Sequence, residues 1–184
     1  MNSEWLTDDE RHMIQRCIDG DSYYEKKLYG SYIQAMYNRA VRMIGEHEAA
    51  KDVVQDSFIE VFKSLHKFRG DSTLGAWIKR IVIHSCISHM KRNKKFNHVS
   101  LNHIETEDFE YEREDENDLN PLAIYEAIKK LPEGCRNVLN LYLIEGYQHK
   151  EIAEIMEISE STSKTQYRRA RQMLQGFLKK KAYG

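Results

Sequence analysis

Apolar residues recur at steps of three and four along most of this chain, the spacing that places side chains on one face of an α-helix. In the segment 49–65 the repeat is formed by Val54, Phe58, Val61 and Leu65. No segment shows the alternation of apolar and polar residues, with β-branched enrichment, that is typical of a strand. The sequence therefore predicts an all-α protein.

Further helices precede and follow this segment within residues 1–96, which we expect to form one helical domain. Thr7 as a cap and an acidic first turn predict a helix over 8–18. A second helix is expected to stop at Gly30 and Ser31, and a third to end at Gly45. Downstream, a second apolar stripe is formed by Leu74, Ile78, Ile81, Val82, Cys86 and Met90.

The helix with the second stripe also carries a basic face. From 72 to 104 there is no Asp or Glu, and polar residues recur at helical steps at Arg80, His84, Ser88 and Lys91. An acid-free basic face is the electrostatic pattern expected of a surface that meets a phosphate backbone. A solvated basic helix end that favours its own macrodipole is the alternative.

The helix over 49–65 has a second face, which is mostly polar. This face includes Asp52, Gln55 and Asp56, together with the apolar Ile59. Such a face can be plain solvent surface or a docking patch, and periodicity alone favours solvent surface.

The charge pattern divides the chain into two basic parts. The net charge is only −1, but acids dominate 105–118, where Arg113 is the one base, and no acid follows Ser161. We expect a flexible acidic linker over 97–119. Two basic blocks separated by an acidic one indicate two nucleic-acid surfaces and a connector that does not bind.

A second helical domain is predicted over 120–184, with Asn120 as the cap and Pro121 as the first residue of its first helix. The core face of the next helix is predicted to consist of Cys135, Val138, Leu139 and Tyr142.

The segment 147–174 has the pattern of a helix-turn-helix. We expect Ile152, Ala153 and Met156 to be buried on its first helix. Glu157 lies in the turn, where glycine is common, and the second helix is expected to begin at Ser161 or Thr162.

The second helix of this motif has two predicted faces. Its inward positions are Ser163, Tyr167, Ala170 and Leu174. The Ser163 hydroxyl is expected to bond back to the helix backbone. Its outward positions are Lys164, Thr165, Arg168, Arg169 and Arg171. A helix that enters the major groove needs such donors for base edges and phosphates.

Other classes of protein are disfavoured by the composition. Cys17, Cys86 and Cys135 are far apart and form no paired motif, so we expect reduced, buried thiols in a cytoplasmic protein. We expect no metal site and no cofactor. No apolar run is long enough for a bilayer span, and no spacing of catalytic groups indicates an enzyme.

Three stretches together resemble bacterial sigma factors of the extracytoplasmic-function (ECF) type. The family's polymerase-binding helix is similar to DVVQDSF at 52–58, and its melting loop to FRGDSTLGAWIKRI at 68–81. The domain that recognises the minus-thirty-five element is similar to LPEGCRNVLNLYLIEGYQHKEIAEIMEIS and the Arg-rich helix after it.

The resemblance implies a transcription initiation factor that binds core RNA polymerase and promoter DNA and melts the promoter. The implied polymerase-binding residues are Asp52, Gln55, Asp56 and Ile59. The implied residues at the minus-ten element are Phe68, Arg69 and Ser72, around a flipped base, and Arg80, His84, Ser88, Lys91 and Arg92 on the helix. The implied residues at the minus-thirty-five element are Lys164, Thr165, Arg168, Arg169 and Arg171.

Members of this family commonly have Asn and Asp where His84 and Ser88 stand here. Many are held inactive by an anti-sigma factor, which is therefore a further implied partner. Two alternatives remain at this point: a helix-turn-helix regulator that binds DNA as a dimer, and a polymerase-binding interaction protein without promoter recognition.

Overall fold

The computed structural model describes residues 6–96 and 121–182, and every regular element among them is helical, which confirms the all-α prediction. The described residues fall into two compact units, one within Met1–Phe96 and one within Asn97–Gly184. The predicted linker over 97–119 and the predicted cap at Asn120 lie outside the described residues.

The N-terminal unit contains four α-helices: α1 (Asp8–Ile18), α2 (Ser22–Ile44), α3 (His47–Ser64) and α4 (Leu74–Phe96). A 3-10 turn, Leu65–Lys67, follows α3. Helices α2, α3 and α4 pack on one another, because each buries its apolar stripe in a common core. Leu28, Val61 and Ile78 are completely buried in this core. Burial of an apolar side chain of that size contributes about 1.5–3 kcal/mol.

The ends of α1 and α2 follow the expected signals. Thr7 forms a capping box with Glu10, whose carboxylate accepts from the Thr7 backbone N–H at 2.9 Å. Gly45 ends α2 in the left-handed conformation at φ 88°, which glycine adopts without the steric cost of a Cβ.

The predicted break at Gly30 and Ser31 is wrong, because α2 runs unbroken from Ser22 to Ile44. The Ser31 hydroxyl donates to the Lys27 carbonyl oxygen at 2.9 Å, so it is satisfied inside the helix. Gly30 is exposed. The packing of the long helix against α3 and α4 outweighs the local cost of one glycine, which is about 1 kcal/mol.

The stripe of α4 is partly different from the prediction. Leu74, Ile78 and Val82 are completely buried, but Ile81 is only half-buried, and the inward positions also include Ile83 and Ile87. The buried face is therefore wider than one stripe, because α4 packs against both α2 and α3.

The C-terminal unit contains α5 (Pro121–Lys129), α6 (Glu133–Leu139), a π-helical turn (Asn140–Ile144), α7 (His149–Met156) and α8 (Glu160–Ala182). The start of α5 at Pro121 confirms that prediction. Leu131, Cys135, Leu139 and Ala170 form one buried cluster, against which α8 packs with Tyr167, Leu174 and Phe177.

The prediction that Tyr142 belongs to the core is wrong, since its side chain is 37% exposed. The π-helical turn adds a residue to the helical turn and so changes which positions face inward. Asn140 and Leu141 are buried in that turn, whereas Leu143 and Ile144 are exposed.

Candidate nucleic-acid interface

The outer face of α4 carries four polar residues at successive steps of four: Arg80, His84, Ser88 and Arg92. All four side chains are exposed. They are held outward because Val82, Cys86 and Met90, on the opposite side of the helix, are buried. We call these four residues the α4 row. Lys91, which was predicted beside them, is half-buried and lies one position off the row.

The α4 row borders a cleft between α3 and α4 with a volume of about 430 Å³. The other wall of the cleft comes from α3 and contains Asp56 and Glu60. Val53, Trp77 and Ile81 are among its apolar lining residues. The structure thus places basic side chains of α4 and acidic side chains of α3 around one opening.

The environment of His84 favours the neutral form of its imidazole. Partial loss of solvent around this exposed side chain lowers the pKa of its imidazole below the usual 6.5, and the positive charges of Arg80 and Lys91 lower it further. A neutral imidazole has one nitrogen that donates and one that accepts a hydrogen bond. His84 can therefore meet either a donor or an acceptor on a nucleic-acid base.

The loop before α4 is held by packing at one end and by a cap at the other. Phe68 is buried, and its ring centroid lies 5.3 Å from that of the half-buried Trp77. The Thr73 hydroxyl accepts from the Ala76 N–H at 3.2 Å and so caps α4. Between these ends Arg69 is exposed and Ser72 is half-buried. That these residues border a pocket for a base stays a prediction.

The outer face of α3 is exposed along its length. Asp52, Gln55 and Asp56 are all exposed, and the apolar side chain of Ile59 is 53% exposed. The buried side of the same helix is formed by Ala50, Val53, Val54, Ser57, Phe58 and Val61. The residues predicted to bind polymerase therefore share one solvent-facing surface.

In the C-terminal unit α7 and α8 form the predicted helix-turn-helix. Glu157 lies in the turn with φ 56° and ψ 48°, and it is the one non-glycine residue with positive φ among the described residues. Helix α8 begins at Glu160, earlier than predicted, because the Ser159 hydroxyl caps it by accepting from the Thr162 N–H at 3.0 Å.

The buried side of α7 differs from the prediction. Ile152 is completely buried as expected, but Ala153 and Met156 are only half-buried, and Ile155 takes the second buried position. This eight-residue helix contacts α8 and the preceding turn along a narrow strip of its surface. A small rotation about the helix axis therefore buries Ile155 in place of Ala153 and Met156.

A polar and aromatic contact that no sequence pattern indicated joins α7 to α8. Ser163 is completely buried, and its hydroxyl lies 2.9 Å from His149 Nδ1 instead of bonding to the helix backbone. The His149 ring stacks on Tyr142 at a centroid distance of 4.5 Å. Tyr167 also packs on Tyr142, with ring centroids 4.6 Å apart. These contacts fix the start of α8 against the turn and α7.

All five outward residues predicted on α8 are exposed: Lys164, Thr165, Arg168, Arg169 and Arg171. The Lys164 ammonium lies 2.6 Å from the Glu160 carboxylate, one turn earlier. The Arg171 guanidinium lies over the Tyr167 ring at 5.9 Å. An exposed basic face near the start of the second helix of a helix-turn-helix is the arrangement that enters a DNA major groove.

Comparisons with known proteins agree with this arrangement. The family model described as sigma-70 region 2 matches residues 28–96, and the model described as sigma-70, region 4 matches residues 122–174. The ECF RNA polymerase sigma-E factor of Escherichia coli strain K12 is 27% identical over 183 residues, which cover 94% of each chain. The chain belongs to the sigma-70 family and is a sigma factor of the ECF type.

Other proteins are similar to this sigma factor over most of their length. The RNA polymerase sigma-H factor of Pseudomonas aeruginosa is 27% identical over 176 residues, which cover 90% of this chain and 91% of that one. The sigma factor RpoE from Bartonella quintana, solved with the anti-sigma factor NepR, has the same fold with a TM-score of 0.57 and 23% identity. That likeness covers 84% of this chain and 96% of RpoE.

The family defines the activity. An ECF sigma factor is a non-catalytic subunit that directs core RNA polymerase to promoters, and this confirms the predicted function and the prediction that the chain is not an enzyme. The matches to both sigma regions exclude the two alternatives left open by the sequence. These were a DNA-binding regulator that acts without polymerase and a polymerase-binding protein without promoter recognition. In the described parts of the chain, no helix is both long and apolar enough to cross a membrane.

Proposed function

We propose that this ECF sigma factor divides promoter recognition between its two units. The N-terminal domain, residues 1–96, binds core polymerase and recognises and melts the minus-ten element. The C-terminal domain, residues 120–184, recognises the minus-thirty-five element, and residues 97–119 connect the two. The main support is the cleft of the N-terminal unit, which brings the α4 row next to Asp56 on the outer face of α3.

Polymerase binding is assigned to the outer face of α3. Asp52 and Asp56 supply two exposed carboxylates, Gln55 lies between them, and Ile59 supplies an exposed apolar contact. An apolar side chain surrounded by polar groups is typical of an interface that must also be stable in water. The face is available for docking because Phe58 and Val61 anchor the other side of the helix in the core.

Recognition of the minus-ten element is assigned to the α4 row, with Lys91 and the loop residues Phe68, Arg69 and Ser72. The loop ends beside Trp77 and the cleft, so bases on a melted strand have apolar and polar groups within reach. Melting needs no catalytic group. A protein that binds the single strand more tightly than the duplex shifts the equilibrium towards the open form.

Recognition of the minus-thirty-five element is assigned to the exposed face of α8. Lys164 and Thr165 lie in its second turn, where a recognition helix contacts base edges, and Arg168, Arg169 and Arg171 continue that face. The contact between Ser163 and His149 holds this face at a fixed angle to α7.

We further infer that the protein acts in the cytoplasm, where it meets core polymerase, and that an anti-sigma factor regulates it. The support for regulation is the likeness in fold to two proteins solved with partners: the sigma factor RpoE with the anti-sigma factor NepR, and CnrH with the cytosolic domain of CnrY. The CnrH likeness has a TM-score of 0.54 at 20% identity and covers 94% of this chain and 98% of CnrH.

Reconstituted transcription tests the division of roles. Core polymerase with the wild-type chain, supplied with a genomic fragment library, should start at a defined set of promoters. Arg80→Ala with Arg92→Ala should abolish or strongly weaken open-complex formation, detected by permanganate footprinting of unpaired thymines. The control, Lys26→Ala with Lys27→Ala, removes two exposed charges from α2 and should have no effect. Equal footprints for both double variants would refute the assignment of the α4 row.

A further inference from the structure

Glu60 occupies an unusual position for an acidic residue in a DNA-binding domain. Its exposed side chain lies on the α3 wall of the cleft, across from the α4 row. It makes no ion pair with any described residue, and the same holds for Arg80 and Arg92. Charges of both signs therefore face the same cleft without neutralising each other through direct contact.

The two kinds of nucleic-acid group that could approach the α4 row would respond differently to Glu60. A phosphate is attracted by Arg80 and Arg92 but repelled by the Glu60 carboxylate. A base edge carries no net charge and is not repelled. Its exocyclic amino group, on cytosine or adenine, can donate a hydrogen bond to a carboxylate.

We propose that Glu60 is a specificity-determining residue that opposes phosphate-driven binding in the cleft and favours a promoter complex in which bases face the α4 row. The proposal rests on the assignment of the α4 row to the minus-ten element. Non-specific binding depends almost entirely on phosphate contacts, so a carboxylate at this position weakens it more than it weakens promoter binding. Specificity then comes partly from repulsion of the wrong complex.

Asp56 lies on the same wall but cannot test this idea cleanly, because it is also assigned to polymerase binding. Glu60 is outside that set and can be changed separately. Glu60→Gln keeps the size and removes the charge. Removing one charge that faces DNA phosphates across a solvent-filled cleft should change the affinity for DNA by roughly two- to tenfold.

The experiment measures binding of reconstituted holoenzyme to two DNA probes by fluorescence anisotropy. One probe is a promoter fragment found by start-site mapping, and the other has the same length and a scrambled sequence. Glu60→Gln should tighten binding to the scrambled probe by roughly two- to tenfold and change promoter binding less, so the ratio of the two affinities falls. Glu48→Gln is the control, since it also removes one exposed charge from the same helix outside the cleft lining, and its exposed pair with Lys51 at 3.9 Å contributes little.

Three results would separate the proposals. If Glu60→Gln behaves like Glu48→Gln, or tightens both probes equally, the role of Glu60 is refuted. Arg92→Gln tests the underlying assignment, because it should weaken promoter binding. If Arg92→Gln leaves both affinities unchanged, the assignment of the α4 row fails, whatever Glu60→Gln does. Glu60→Lys should lower the affinity ratio further than Glu60→Gln, and a ratio that rises instead would contradict the repulsion argument.

Discussion

Glycine at position 157 should stabilise the helix-turn-helix relative to alanine at the same position. Glu157 has φ 56° and ψ 48°, the left-handed region in which the Cβ of an L-residue crowds the following carbonyl oxygen. That conformation costs about 1–2 kcal/mol for a residue with a Cβ. Glycine avoids this cost but loses about 0.5–1 kcal/mol more conformational entropy on folding. The midpoints of these two ranges differ by about 0.75 kcal/mol, so we expect a net gain of roughly 0.5–1 kcal/mol for glycine over alanine at this site.

The comparison must separate the backbone effect from loss of the glutamate side chain. Glu157→Ala removes the side chain and its interactions but keeps the Cβ, so it is the reference for Glu157→Gly. Hydrogen exchange of peptides covering α7 and the start of α8 should be roughly two- to fivefold slower in the glycine variant than in the alanine variant. Peptides from α3 should exchange equally in both variants and serve as the internal control. Exchange in the glycine variant that is as fast as in the alanine variant, or faster, would refute the argument from strain.

Three further outcomes are expected. Arg169→Ala should weaken promoter binding of the holoenzyme by about 1–3 kcal/mol in a competition assay, and unchanged promoter affinity, with polymerase binding intact, would contradict its place in the recognition face. Gln55→Ala with Asp56→Ala should reduce binding to core polymerase in a pull-down, and recovery equal to wild type would remove the docking assignment. The Ala49 and Glu48 backbone N–H groups, bonded at 2.6 and 2.8 Å, hold the pKa of Glu46 below its usual 4.5. The contribution of this cap to stability is therefore fully present above pH 4.5 and is lost as the pH falls through the lowered pKa. Glu46→Gln should lose that part of the pH dependence in acid titrations followed by circular dichroism, and an unchanged acid profile would count against the cap.

Helix boundaries set by local chemistry were predictable from the sequence. The cap at Thr7, the glycine stop at Gly45 and the start at Pro121 each depend on a few neighbouring residues. The exposed basic faces were also predictable, because a helix with one apolar stripe must present its other residues to solvent. The outward positions of Arg80 and Arg168 follow from that rule.

Features that depend on neighbouring helices were not predictable in the same way. The continuity of α2 through Gly30 is decided by packing along the whole helix, which outweighs a weak local preference. The exposure of Tyr142 depends on a π-helical turn, which no spacing in the sequence indicated. At Tyr142 the helix departs from the ideal periodicity, whereas at Gly30 it continues where a local signal predicted a break, and in both cases the tertiary structure decides the outcome.

The sequence by itself determined that the chain is helical, that it has two basic parts and that it resembles a known family. Periodicity, charge and motif spacing are all properties of the linear amino-acid sequence. Only the tertiary structure brought Glu60 to the cleft beside the α4 row and paired Ser163 with His149. Those contacts join residues on different helices, and their distances are set by how the helices pack. Local spacing contains no direct measure of that packing.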